Sequence, residues 1–166
     1  MAHGHHKAQA KTPVNAWVLT CSDSRTEADD ASGRLMRDAL AKDGHRVLGH
    51  DIVEDDPAAI GAHLDALLAD PEVQVVLING GTGISPRDTT YEAVAERLEK
   101  RIDGFGELFR ALSFKEIGSA AMLSRAAAGI SRGRVVVSVP GSESAVRLAM
   151  EELILPELRH MVWLLR

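Results

Sequence analysis

Residues 76–93 are Val-Leu-Ile-Asn-Gly-Gly-Thr-Gly-Ile-Ser-Pro-Arg-Asp-Thr-Thr-Tyr-Glu-Ala. The apolar run 73–78 predicts a short buried strand that ends at Asn79. Glycines follow at positions 80, 81 and 83, a composition common where backbone amides approach a ligand closely. Thr89 and Glu92 match a Thr-x-x-Glu capping box, which predicts a helix N-terminus directly after the loop. A strand, a glycine loop and a helix are therefore expected in succession.

This loop favours an anion, because a helix N-terminus presents free N–H groups and partial positive charge, and phosphate is the usual anion. Asp88 precedes the predicted cap, where its carboxylate would repel a phosphate unless a cation lies between them. The loop thus predicts a phosphate site with a divalent metal. A tight turn without a ligand is the alternative, since the two familiar nucleotide-loop spacings, G-x-G-x-x-G and G-x-x-x-x-G-K-[ST], are absent.

Composition predicts one compact domain over residues 14–166, with 45 % hydrophobic and 26 % charged residues in a chain of 166. The net charge of −5 and the lack of a long basic run predict no nucleic-acid binding. No run approaches the roughly 20 apolar residues of a membrane helix. A single cysteine, Cys21, and the lack of a signal peptide predict a cytoplasmic protein. Residues 1–13 are polar and histidine-rich and are expected to form a disordered tail.

The rest of the chain alternates predicted strands with predicted helices. Strands are expected at 16–20, 46–53, 73–78 and 135–139. Helices are expected from an apolar face at 35–40 that closes at Gly44, after Asp56-Pro57, over 91–102 and 105–114, and at the C-terminus on either side of Pro156. Because the connections look too long for hairpins, the pattern predicts a three-layer αβα sandwich with a mostly parallel central sheet.

In an open parallel sheet, ligands bind beyond the carboxyl ends of the strands. Four such ends lie at 21–26, 54–56, 79–88 and 140–143, and each is rich in Gly, Ser, Thr or Asp. Parallel strands bring these ends together, so Asp55 and Asp88 are expected to converge on one cation. Carboxylate oxygens without His or Cys nearby suit Mg²⁺ bridged to phosphates.

Several spaced motifs together strongly resemble one family. Gly-Gly-Thr-Gly-x-x-x-Arg-Asp-x-Thr-x-Glu-Ala (80–93) is followed by Gly-Phe-Gly-Glu-Leu-Phe-Arg (104–110), Leu-Ser-Phe-x-Glu-Ile-Gly (112–118), Leu-Ser-Arg-Ala-x-Ala-Gly (123–129) and Pro-Gly-Ser (140–142). Their order and spacing resemble the MoaB/MogA family of molybdenum cofactor biosynthesis, and the element at 112–118 is closer to its MoaB branch. The resemblance covers residues 16–165 and implies the molybdopterin-binding α/β fold of that family.

The resemblance implies molybdopterin adenylyltransferase activity. ATP and molybdopterin would be the substrates, Mg²⁺ the required ion, and adenylyl-molybdopterin and pyrophosphate the products. It also implies self-association as a homotrimer or homohexamer. A non-catalytic pterin-binding or assembly protein of the same pathway is the alternative. Molybdate insertion is less favoured, because proteins with that activity carry this fold inside a larger multidomain chain.

The resemblance also assigns site residues, position by position. Asp55 and Asp88 match the two functional aspartates, which would be catalytic and hold Mg²⁺, with Glu54 or Asp56 as alternatives to Asp55. The nucleotide and phosphate side would comprise Ser22, Asp23, Gly80, Gly81, Thr82 and Gly83. The pterin side would comprise Glu107, Ser124, Arg125, Pro140, Gly141 and Ser142.

Structural interpretations remain open for most of these residues. Asp55 and Ser142 are also compatible with helix caps, and Glu107 with a first-turn helix acid. Arg87 and Arg125 are either ligand contacts or solvated charges. Cys21 fits a small buried side chain better than a nucleophile. The phenylalanines at 105, 109 and 114 fit a core or a subunit interface better than a stacking platform for pterin.

Overall fold

One six-stranded sheet, in the order β2-β1-β3-β6-β5-β4, forms the centre of the molecule. The computed structural model describes residues 12–166, so most of the predicted tail, residues 1–11, lies outside the described residues. The strands are β1 (Asn15–Cys21), β2 (Arg46–Val53), β3 (Val75–Asn79), β4 (Lys100–Arg101), β5 (Ala127–Ser131) and β6 (Arg134–Val139). The first three and β6 pair in parallel, so their carboxyl ends share one edge.

The sheet also contains two antiparallel pairs that the sequence did not predict. β5 pairs antiparallel with both β6 and β4. Arg132 (φ 47°) and Gly133 (φ 72°) connect β5 to β6 through two positive-φ positions, the geometry of a tight hairpin turn. The expectation that every connection is too long for a hairpin is therefore wrong. β5 was missed because its Ala-Ala-Gly-Ile-Ser sequence has little strand propensity of its own.

Helices cover both faces of the sheet and complete three layers, as predicted. One face carries α1 (Ala31–Lys42), α4 (Asp103–Ile117), α5 (Glu143–Ala149) and α6 (Leu155–Trp163), and the other carries α2 (Pro57–Ala69) and α3 (Thr90–Ala95). Strand residues alternate between the two cores, since Val18 and Leu77 pack on the first face whereas Leu19 and Ile78 pack on the second. Within residues 12–166, no helix is long and apolar enough to cross a membrane.

Two predicted helices have different bounds in the structure. The helix expected over 91–102 ends at Ala95, and Lys100–Arg101 form the edge strand β4 instead. Pairing with β5 overrides the helical pattern, because Glu99 and Ile102 donate backbone hydrogen bonds to Ile130 and Ala128. Pro156 does not separate two helices either. A π-helical turn, Met150–Ile154, joins α5 to α6, and this wider turn precedes the proline, which has no N–H to donate.

The predicted helix ends are partly confirmed. The Asp56 carboxylate accepts a hydrogen bond from Ala59 N (2.8 Å) and caps α2, and Gly44 has φ 80° after α1. The capping box at Thr89 and Glu92 is wrong, since Thr89 makes no side-chain capping bond. Its hydroxyl donates to Asp55 (3.0 Å), and Glu92 pairs with Arg125. Both side chains therefore link the loop to other segments.

Candidate functional site

A cavity of about 410 Å³ opens at the edge where the parallel strands end, and we call it the edge cavity. It lies where open parallel sheets bind ligands. Segments that follow β1, β2, β3 and β6 contribute to its walls, together with Asp30 at the start of α1. The predicted site residues that line it are Ser22, Asp23, Asp55, Gly80, Gly81 and Gly141.

The glycine loop needs glycine for internal reasons. Gly80 (φ 98°) and Gly81 (φ 61°) adopt positive φ angles that other residues rarely take. A Cβ on Gly80 would collide with the Cys21 carbonyl, and one on Gly81 would lie 2.8 Å from an Asp55 carboxylate oxygen. The glycines thus let Asp55 approach the loop backbone closely, whether or not a ligand is bound.

Asp55 is the acid of the 54–56 segment that lines the edge cavity. Its carboxylate accepts hydrogen bonds from Thr89 N (3.2 Å) and Thr89 Oγ1 (3.0 Å), and its own N–H donates to Asp23 (3.0 Å). Asp56 is occupied as the cap of α2, and Glu54 is exposed. The structure therefore favours Asp55 over its two neighbours as the site acid.

Asp88 lies on the other side of the same loop. Its Oδ2 accepts a hydrogen bond from Ser85 N (3.0 Å), and a Cβ on Gly83 would lie 2.7 Å from that oxygen. Asp88 lines a separate, shallow cavity of about 360 Å³. Asp55 and Asp88 therefore flank the glycine loop at Gly81 and Gly83 instead of facing one cavity. Among residues 12–166, no group of three or more His, Cys, Asp or Glu side chains is arranged to hold a metal ion.

A buried polar network supports the floor of the edge cavity. Asp30, 1 % exposed, accepts hydrogen bonds from Gly33 N (2.8 Å) and Thr20 Oγ1 (2.6 Å), and lies 2.9 Å from Nε2 of His50. Asn79 donates to Thr20 (2.9 Å) and so ties the end of β3, where the glycine loop begins, to the network. Sequence reasoning missed it. The only local signal is an aspartate directly before a helix, which is typical of a cap.

Two arginines, Arg25 and Arg87, line the edge cavity. Arg87, on the glycine loop, pairs with Asp23 on the loop after β1, and its side chain is 78 % exposed. The Ser22 hydroxyl accepts from the backbone N–H groups of Ser24 (3.3 Å) and Arg25 (3.2 Å), so it shapes this loop. The cavity thus combines acids, which suit a metal, with arginines, which suit phosphate.

The residues predicted for the pterin side do not share one cavity. Ser124, Pro140 and Ser142 line a cavity of about 220 Å³ whose other walls include Phe109, Ile117 and several alanines; we call it the apolar cavity. A further cavity of about 420 Å³ contains Glu107, Ser124 and Arg125, and Gly141 faces the edge cavity. Ser142 caps α5 by accepting from Ala145 N (3.3 Å), so the cap interpretation is confirmed for it.

The glycine loop and the Pro-Gly-Ser loop meet between the edge cavity and the apolar cavity. A Cβ on Gly141 would lie 3.1 Å from the Gly80 Cα, so the two loops touch. Gly80 and Gly81 line the edge cavity, whereas Thr82 and Gly83 line the apolar cavity. The Ser124 hydroxyl at the apolar cavity is buried and has no hydrogen-bond partner among residues 12–166. One loop therefore borders a polar and a mostly apolar compartment.

Cys21, Phe105 and Phe109 have the buried structural roles that were favoured. Burial raises the pKa of Cys21 to about 12, the Asp55 charge adds to this effect, and a hydrogen bond with Thr90 opposes it. The thiol therefore stays protonated near neutral pH. Phe105 and Phe109 are buried in the core, whereas Phe114 is 61 % exposed.

Comparison with known proteins identifies the family. A family model described as a probable molybdopterin binding domain matches residues 17–160. Molybdenum cofactor biosynthesis protein B of Bacillus cereus is 51 % identical over 164 residues, covering 98 % of this chain and 97 % of that protein. The chain belongs to the MoaB/MogA family, in its MoaB branch.

Other members of the MoaB/MogA family agree with this assignment. Molybdenum cofactor biosynthesis protein B of Escherichia coli is 42 % identical over 146 residues, covering 88 % of this chain and 86 % of that protein. A crystal structure of a molybdenum cofactor biosynthesis protein B superposes with a TM-score of 0.90 at 51 % identity, covering 93 % of this chain and 96 % of that one. The tungsten cofactor synthesizing protein MoaB from Pyrococcus furiosus gives 0.78 at 36 % identity, with 90 % and 94 % coverage. The predicted fold is confirmed.

Proposed function

We propose that this protein acts in molybdenum cofactor biosynthesis by adenylylating molybdopterin with Mg·ATP, which yields adenylyl-molybdopterin and pyrophosphate. Family membership supports the pathway. The observation that carries the chemistry is the glycine loop, which borders a polar cavity on one side and a mostly apolar cavity on the other. Two different substrates can therefore meet at one loop.

The triphosphate of ATP would occupy the edge cavity. Backbone N–H groups of the glycine loop would bind phosphate oxygens, as nests of successive amides do. Arg25 and Arg87 would neutralise part of the remaining charge. Asp23, which pairs with Arg87 in the free protein, would release it to the nucleotide.

The donor set of this chain fits Mg²⁺ in the way nucleotide enzymes usually hold it. Mg²⁺ typically takes one or two protein carboxylates and fills its other positions with phosphate oxygens and water. Asp55, which lines the edge cavity, would be one protein ligand, and Asp88 would be the second after its carboxylate leaves Ser85 N and turns towards that cavity. A cluster of three acids is not needed for such a site. When bound, the ion would neutralise phosphate charge and stabilise the departing pyrophosphate.

The pterin would occupy the apolar cavity. A flat heteroaromatic ring has apolar faces, which suit Ile117 and Pro140, and polar edges, which suit a hydrogen-bonding group. The Ser124 hydroxyl is a buried polar atom without a hydrogen-bond partner in the described part of the chain, and leaving such an atom unpaired costs stability. A ring edge would satisfy it.

The reaction needs positioning more than acid–base help. The terminal phosphate of molybdopterin is already an anion and would attack the α-phosphorus of ATP. A new P–O bond would form as the bond from the α-phosphorus to the bridging oxygen breaks, and pyrophosphate would leave with that electron pair. The chain would contribute by aligning two polyanions across the glycine loop and by offsetting their repulsion.

A single assay tests this function. Purified protein is incubated with molybdopterin and Mg·ATP, and adenylyl-molybdopterin and pyrophosphate are quantified. Formation of both in equal amounts, dependent on Mg²⁺, is expected. The placement of Asp55 and Asp88 in different cavities favours a second candidate, a non-catalytic pterin-binding protein. Tight molybdopterin binding without any product would establish that alternative.

A further inference from the structure

Arg125 makes hydrogen bonds to the backbone carbonyls of the glycine loop. The Arg125 N–H donates to the Thr82 carbonyl (3.2 Å). Its guanidinium donates through Nε to the Gly83 carbonyl (2.9 Å) and through Nη2 to the Asp88 carbonyl (2.9 Å). One residue, 37 to 43 positions away in sequence, therefore binds three carbonyls of a single loop.

These bonds also orient the N–H groups of the loop. In a planar trans peptide, the C=O of one residue and the N–H of the next point in opposite directions. The N–H groups of Gly83 and Ile84 are therefore directed away from Arg125. The same reasoning applies after Asp88, where the next N–H, that of Thr89, donates to the Asp55 carboxylate at 3.2 Å. Arg125 and Asp55 thus hold opposite sides of one peptide group.

Arg125 is itself held from outside the loop. Nη1 pairs with Glu92, whose pKa is lowered chiefly by this hydrogen bond, and the guanidinium carbon lies 5.0 Å above the Tyr91 ring. Nε, Nη1 and Nη2 all have protein partners, and the side chain is only 27 % exposed. A lysine in this position would lack the fork that reaches separate acceptors.

We propose that Arg125 is a positioning residue, which keeps the glycine loop in the shape that binds phosphate and presents Asp55 and Asp88. It acts through the loop and does not contact the pterin. The catalytic consequence of this inference rests on the proposed function. The hydrogen bonds from Arg125 to the loop, which we call the clamp, follow from the geometry alone.

The test compares Arg125→Lys with a matched control, Arg159→Lys. Arg159 is similarly exposed (28 %) and likewise holds a backbone carbonyl and a carboxylate, both of Asp43, at a loop remote from the site. Four quantities are measured for each variant: the melting temperature, amide hydrogen exchange of residues 80–89, the Kd for Mg·ATP and the kcat of adenylyl transfer.

Arg125→Lys should speed exchange at Thr89, whose N–H is hydrogen-bonded to Asp55, and should weaken Mg·ATP binding or lower kcat by about tenfold or more, since bonds to charged groups are lost. Arg159→Lys should change only the melting temperature. Loop exchange in Arg125→Lys that matches the wild type would overturn the clamp. Faster exchange with unaltered Kd and kcat would overturn the positioning role. A wild-type protein that makes no product would instead refute the proposed function, while the exchange comparison would still decide on the clamp.

Discussion

Asp88→Asn separates the chemical role of Asp88 from its structural one. In the free protein, Oδ2 accepts a hydrogen bond from Ser85 N at 3.0 Å, and an asparagine oxygen can accept the same bond. Only the charge assistance is lost, which costs about 1 kcal/mol of stability. Removing a carboxylate that holds Mg²⁺ should lower adenylyl transfer by at least ~100-fold, the scale of losing one key electrostatic group. That factor corresponds to about 2.7 kcal/mol of transition-state stabilisation. The expected loss of transition-state stabilisation is therefore larger than the expected loss in the free energy of unfolding.

The assay is adenylyl transfer as a function of Mg²⁺ concentration, with thermal unfolding measured on the same sample. Asp56→Asn serves as the control, because Asp56 lies three positions after β2 in the same segment as Asp55 but caps α2, and asparagine caps helices equally well. The control should keep wild-type rates. If Asp88→Asn turned over normally with an unaltered Mg²⁺ requirement, Asp88 would be a loop-shaping acid only and the metal assignment would be refuted.

Three further results are expected. Gly83→Ala should weaken Mg·ATP binding, because the new Cβ lies 2.7 Å from the Asp88 carboxylate and displaces it. The melting temperature should change little, since that carboxylate can move. An unchanged affinity would argue against a role for this part of the loop in phosphate binding. Burial lowers the pKa of His45, and Arg159 adds to this, so below about pH 6.5 the unfolded chain binds a proton that the native state does not. The free energy of unfolding measured with urea should therefore fall as the pH falls from 7 towards the native pKa of His45. This pH dependence should be weaker in His45→Gln. Phe114 and Met122 are exposed by 61 % and 75 % near the end of α4, which supports the predicted self-association; light scattering should detect an oligomer that Phe114→Lys weakens, and a wild-type monomer at micromolar concentration would contradict this.

Local sequence patterns predicted the structure correctly where the stabilising contacts lie within one segment. The apolar run of β3 and the alternation of its side chains between two cores follow from residue types alone. The same holds for the Asp56-Pro57 start of α2 and for Gly44 after α1. In each case the residue satisfies a backbone requirement within a few positions, so no distant partner is needed.

Sequence patterns gave wrong predictions where a hydrogen-bond partner distant in sequence competes with a local one. Thr89 and Glu92 fit a capping box, yet Asp55 and Arg125 offer them charge-assisted bonds, and those bonds prevail. Gly81→Val does not distinguish a phosphate cradle from a tight turn. The positive φ at Gly81 and the adjacent Thr90 and Asp55 side chains make that substitution strained under either interpretation.

From the sequence alone, the chain's motifs identified the MoaB/MogA family and the three-layer fold and predicted a candidate site at the carboxyl ends of the strands, because these depend on composition, periodicity and motif order. Only the tertiary structure decided that Asp55 and not Glu54 or Asp56 faces the edge cavity, that Asp88 lies on the opposite side of the loop, and that Arg125 holds the loop carbonyls. Neighbouring acids in sequence look alike, and their roles diverge only when the fold directs each side chain to a different partner. The bonds between Arg125 and the glycine loop span about 40 residues, a separation over which sequence spacing carries no information about contact.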